Sequence, residues 1–248
     1  MKMKQKMSYL WEACYPIIIY AFLVTAVQTL MTDYSPVKIA SPMLRQAVGQ
    51  VICMFPMYYF YTKLGEGNRK LSNVALDIII VIIAGITLSV GFNQLIELSP
   101  IKGHSPGFWR ISHRIYSDKH VYQLIAVGIC APILEELIFR GIVFGNLRKV
   151  LGSFVAILIS ALIFGSMHGN LVQFLYAALL GVAFAYIYDK TDTLWLCILA
   201  HSAANIFSLI STWYGINRFL TQTETIALSV GVAGVLIGTV VLARWKRP

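Results

Sequence analysis

Residues 121–145 read VYQLIAVGICAPILEELIFRGIVFG, an apolar stretch whose only charged members are Glu135, Glu136 and Arg140. A run of this length matches the roughly 20 helical residues that cross a ~30 Å hydrocarbon core. A carboxylate at such depth costs on the order of 3 kcal/mol, which marks it as a functional group rather than decoration. The rest of the chain agrees with a lipid setting. Its 248 residues are 58% hydrophobic and 12% charged with a mean hydropathy of +0.71, leaving too few polar side chains to coat a soluble core. The expected fold is therefore all-α, a polytopic membrane protein.

Working outward, comparable apolar runs occupy 9–31, 43–61, 74–97, 151–168, 171–188, 193–213 and 226–243, so about eight transmembrane helices are expected in a single domain, 1–248. No soluble domain, low-complexity tract or internal repeat interrupts them. Lys2, Lys4 and Lys6 before the first run imitate a signal peptide, but no small-residue cleavage site follows, and the run reads as a retained helix. The net charge of +9 sits between the apolar runs, where it meets anionic lipid headgroups, and nucleic acid is excluded as a partner.

Orientation follows from these cations. Twelve (Lys2, Lys4, Lys6, Lys63, Arg69, Lys70, Arg148, Lys149, Lys190, Arg244, Lys246, Arg247) fall on one side and seven (Lys38, Arg45, Lys102, Arg110, Arg114, Lys119, Arg218) on the other. This asymmetry predicts a multi-pass protein of the cell membrane with both termini cytoplasmic. In the 99–120 connection, Phe108, Trp109, Ile111, Ile115 and Tyr116 interleave with Arg110, His113 and Arg114. That mixture predicts an amphipathic segment on the membrane surface, with a cover over a cavity mouth as the alternative. Cys14, Cys53, Cys130 and Cys197 show no CxxC spacing and read as small buried hydrophobes. Asp189, Asp192, Glu224 and Glu97 read as solvated charges at segment ends, and Trp11, Trp213, Tyr214 and Trp245 as interfacial anchors.

Three polar groupings carry the chemistry. Glu136 and Arg140 are spaced to pair on one helix face, which leaves Glu135, about 100° around, without a local partner. Phe164 and His168 close the fifth run, followed at once by a Gly169-Asn170 turn, and His201 and Asn205 share a face of the seventh. At ~1.5 Å of rise per residue, Glu135 lies about 20 Å from the inner side, His168 about 27 Å, His201 about 14 Å and Asn205 about 20 Å. Ordinary helix tilts of around 20° let these depths meet. A glutamate in a desolvated pocket is a usable general base, a histidine beside it can share the water, and a second histidine with an asparagine amide suits a developing oxyanion. Carboxylate plus two imidazoles, Glu135, His168 and His201, is equally a zinc set with an open position. A lone His or Asn in a span is more often an interhelical hydrogen bonder, but here the two deep histidines are the ones that accompany the pattern.

EExxxR at Glu135, Glu136 and Arg140, FxxxH at Phe164 and His168, and HxxxN at His201 and Asn205, in that order on separate hydrophobic runs, closely resemble the motifs of the CPBP (CAAX protease and bacteriocin-processing, or Abi) family of intramembrane endopeptidases. The likeness covers about 120–212. It implies a catalytic cavity open to one membrane face, with Glu135 as general base acting with His168 on water, His201 and Asn205 as the oxyanion site, and Glu136, Arg140 and Phe164 in support. It implies no cofactor, zinc remaining the alternative, and a peptide or membrane-protein substrate, of processing or bacteriocin self-immunity type. A non-proteolytic immunity or scaffold protein is the rival of a different class.

Overall fold

The computed structural model describes residues 2–34, 40–64, 71 and 73–246. Lys38, Arg69, Lys70 and Arg247, four of the cations used for orientation, lie outside the described residues. Every expected apolar run is helical: α1 (Met3–Thr29), α2 (Pro42–Thr62), α3 (Val74–Glu97), α5 (His120–Leu151), α6 (Ser153–Ser166), α7 (Leu171–Thr191), α8 (Leu194–Trp213) and α10 (Glu224–Arg244). Two shorter helices, α4 (Pro106–Tyr116) and α9 (Ile216–Leu220), lie in connections. Among the described residues, six helices are long and apolar enough to cross a membrane, α2 and α6 being the exceptions. Arg45, Gln46 and Gln50 lower the hydropathy of α2, and α6 has only 14 residues where about 20 are needed.

Caps start these helices where the sequence turns polar. Ser41 accepts the Leu44 N–H ahead of Pro42, Asn73 accepts that of Leu76, Asn170 that of Gln173 and Thr223 that of Ile226, each satisfying an orphan donor. Small residues then set the spacing. A Cβ on Gly234 of α10 would stand 2.6 Å from the Thr87 carbonyl oxygen of α3, and one on Gly85 of α3 would stand 2.3 Å from that of Ala200 in α8. Such backbone proximity is how helices gain packing energy in lipid, where burial against a neighbour is worth little more than burial in acyl chains. α3 is thus held between α8 and α10, α6 and α7 form an antiparallel hairpin, and α5 runs through the middle against α1, α2, α6 and α8.

Several boundary residues differ from expectation. Trp245 is buried, donating its indole N–H to Asp77 Oδ1 at 2.7 Å, because α10 folds its end back over α3. Buried Lys190 donates to the carbonyls of Leu242 and Trp245 at the end of the same helix. Asp189 and Asp192 are not free in solvent: Arg148 lies 2.5 Å from Asp192 and 4.0 Å from Asp189, and the Ser153 hydroxyl donates to Asp189. Glu97 pairs with Lys102 and remains exposed at its segment end, as expected. Three cysteines are buried, whereas Cys14 faces outward on α1.

Candidate active site

The two adjacent glutamates occupy different environments, since neighbouring residues project about 100° apart around a helix. Glu136 is fully buried, and its Oε1 accepts from Arg140 Nη1 at 3.0 Å and from His201 Nδ1 at 2.7 Å. Arg140, also fully buried, donates in addition to the Gly181 carbonyl at 3.2 Å and lies 4.5 Å over the Phe164 ring and 5.5 Å from that of Phe184. Glu135 has a side chain 23% exposed, with Oε2 3.7 Å from His201 Nε2. The expected pairing of Glu136 with Arg140 is present. Glu135, which lacks a partner on its own helix, has one across the bundle.

His201 is therefore oriented from behind. Nδ1 carries a proton to the Glu136 carboxylate, Phe184 stacks on the ring at 4.9 Å and 23°, and Nε2 points toward Glu135. A separation of 3.7 Å is too long for a direct hydrogen bond, so the imidazole tip is available to a third group. His168 sits in the short turn between α6 and α7, its Nδ1 3.1 Å from the Phe164 carbonyl and its own carbonyl accepting from Asn170 Nδ2 at 3.3 Å. The Phe164 ring stands edge-on to both imidazoles, at 5.1 Å from His168 and 5.8 Å from His201.

Asn205 is placed by a defect in α5. Two stretches of that helix, Leu124–Cys130 and Leu137–Phe144, are wound as π-helix and flank the glutamates. The Ala131 N–H reaches back five residues to Ala126, and the next residue, Pro132, has no N–H to give the Val127 carbonyl. Asn205 Nδ2 supplies the missing donor at 2.9 Å. An asparagine amide has two N–H bonds, so the second is left for the cavity. Pro132 inside an apolar run was the sequence signal for this register shift. Phe184, Gly181 and the Val127 carbonyl carry no signal of their own, since each acts through shape or backbone.

Glu135, His168, His201, Asn205 and Phe164 all line one cavity of about 370 Å³. Glu136 and Arg140 stand behind it. Ile111, Arg114 and Ile115 of α4 line the same cavity while Trp109, Arg110 and His113 face outward. The amphipathic helix thus covers the cavity mouth with one face and leaves the other exposed.

Residues 117–207 match a family model described as type II CAAX prenyl endopeptidase Rce1-like. Through this segment, 91 of its 248 residues, the chain resembles that family. The matched stretch holds every residue of the three motifs. Among curated relatives, the "Putative membrane peptidase YdiL" of Bacillus subtilis (strain 168) is 39% identical over 103 residues, 42% of this chain and 42% of the relative. The "UPF0177 protein YxdF" of Lactococcus lactis subsp. lactis (strain IL1403) is 31% identical over 86 residues, 34% of this chain and 47% of the relative. The chain thus aligns with less than half the length of these relatives, and no solved structure matches it. α1, α2, α3, α4, α9 and α10 fall outside the matched segment.

Among the described residues, no three His, Cys, Asp or Glu side chains stand together in a way that would hold a metal ion. Glu135, His168 and His201 share the cavity wall without forming such a cluster, and one nitrogen of His201 is already given to Glu136.

Proposed function

We propose that this protein is an intramembrane endopeptidase that hydrolyses a peptide bond with a water activated by Glu135 and His168. The observation that carries the reading is the convergence of four polar side chains from α5, α8 and the α6–α7 turn on one cavity inside an apolar bundle. Glu135 takes a proton from the water as its oxygen attacks the carbonyl carbon, with His168 orienting that water. Charge then develops on the carbonyl oxygen, where a doubly protonated His201 ring, with Nδ1–H on the Glu136 carboxylate, donates Nε2–H alongside the second amide N–H of Asn205. One such donor is worth roughly 3–4 kcal/mol to the transition state. Glu135 returns the proton to the amine as the C–N bond breaks. Glu136 and Arg140 act through His201, holding its ring by Nδ1, and Phe164 spaces the two imidazoles.

The substrate class that fits a cavity at this depth is a membrane-associated protein or small peptide, in processing or self-immunity. The family description points to prenylated proteins and the name of the Bacillus relative to membrane peptidase activity in general. Glu135→Gln and His168→Ala should each abolish cleavage, measured by product formation in membranes, while leaving insertion and thermal stability unchanged. Full activity in either variant would remove the mechanism. The excess of cations on one side further supports both termini in the cytoplasm of a cell-membrane protein. An alkaline phosphatase fused at the C-terminus should accordingly be inactive, and an active fusion would reverse the orientation.

A further inference from the structure

We propose that a groove lined by α1, outside the family segment, is a second substrate subsite that takes an apolar side chain next to the scissile bond. This rests on the hydrolase reading above. Glu135 and His168 face two hollows, not one. Besides the cavity of about 370 Å³, a second of about 300 Å³ is bounded by the same Glu135, Phe164, Met167 and His168, and its opposite wall is Tyr20, Ala21, Val24 and Thr25 of α1. That volume is at the lower end of ligand-sized pockets, ~300–1,000 Å³. A peptide bond held at the Glu135–His168 pair therefore has room on both sides, and the two sides differ in chemistry.

The first cavity carries the charge of Arg114 and the amides of Gln46, Gln173 and Asn205 among apolar neighbours, groups that can meet polar backbone. The α1 groove has no charged residue other than Glu135, its remaining wall is Phe139, and Thr25 gives its hydroxyl to the Ala21 carbonyl at 2.8 Å. Beyond Glu135 and His168, which both hollows share, Tyr20 is the polar group left there. Such a surface selects an aliphatic or aromatic side chain by desolvation and shape. α1 is the least buried of the six long apolar helices, with 6% of its span buried.

The test compares membranes containing the wild type, Glu135→Gln, Ala21→Phe, Val24→Ala and Ile18→Phe, with product termini sequenced and quantified by mass spectrometry. Products lost in Glu135→Gln define those this protein makes. Ala21→Phe fills the groove and should lower, by about 10-fold, products with a large apolar residue beside the cleaved bond relative to those with Gly or Ala there. Val24→Ala enlarges the groove and should shift products toward bulkier residues, a readout that stands if Ala21→Phe fails to fold. Ile18→Phe adds a ring on the outer face, 63% exposed, and should behave as the wild type. Products that depend on Glu135 but are unchanged in identity and amount by both groove variants would overturn the subsite alone, as would an equal loss in Ile18→Phe. If no product depends on Glu135, the hydrolase reading falls and the subsite with it.

Discussion

Glu135 and Glu136 are neighbours with opposite surroundings, and the difference fits the roles proposed for them. Glu136 is shut away with two cationic or donor partners on one oxygen, so it acts as a fixed orienting charge. Glu135 keeps partial exposure at the cavity wall, where a base must meet its water. The orienting charge is also the costlier one to disturb. Arg140→Met leaves the Glu136 carboxylate buried with only His201 beside it and should destabilise the protein by about 3–5 kcal/mol, read from thermal unfolding in detergent. Adding Glu136→Leu should recover part of that loss in stability without restoring cleavage. Recovery of cleavage in the double variant would show that His201 needs no carboxylate behind it.

Elements position the site through their irregularities. α5 would be an ordinary amphipathic span if it were α-helical throughout, but its π-wound stretches and Pro132 free the Val127 carbonyl to receive Asn205 and so tie α8 to α5 beside the glutamates. The start of α5 is tied in turn to α2. Asp118, just ahead of α5, accepts from the Ser41 hydroxyl at 2.5 Å, from the Met43 N–H at 2.9 Å and from the Lys119 N–H at 2.8 Å. Burial pushes its carboxyl up, but these hydrogen bonds together pull it below the usual carboxylate range. A carboxyl lowered on folding adds stability that is complete above its unfolded value, about 4, and is lost as pH falls through the folded value. The thermal stability of the wild type should therefore exceed that of Asp118→Asn at pH 7, and the gap should close below about pH 4. A gap that widens on acidification would contradict the role given to this carboxylate.

At the scale of the whole molecule, the bundle brings together groups that no helix could assemble alone. The same side chains, Glu135, His168 and His201, were open to reading as zinc ligands or as a metal-independent set, and they share a wall without clustering as three ligands. On the glutamate–histidine reading, incubation with a metal chelator followed by dialysis should leave the rate of cleavage unchanged within error. Loss of activity restored by added zinc would return the metal to the mechanism.

Much of this architecture is written in one-dimensional patterns. Helix class, approximate span limits and the Glu136–Arg140 pair follow from run length and from the i, i+4 spacing, because lipid forces every spanning backbone to satisfy itself locally and a helix repeats by a fixed angle. Residues 43–61 and 151–168 were legible as helices, though not the polarity that marks α2 or the shortness of α6. The motifs named side chains that meet at the cavity, and their depths allowed that meeting. Only the tertiary structure decided which group faces which: that His201 leans on Glu136 with its tip toward Glu135, that Trp245 and Lys190 turn inward, that α4 roofs the cavity, and that α1 supplies a second wall. Such facts depend on helix rotation and on contacts between residues far apart in the chain, for which local spacing carries no information.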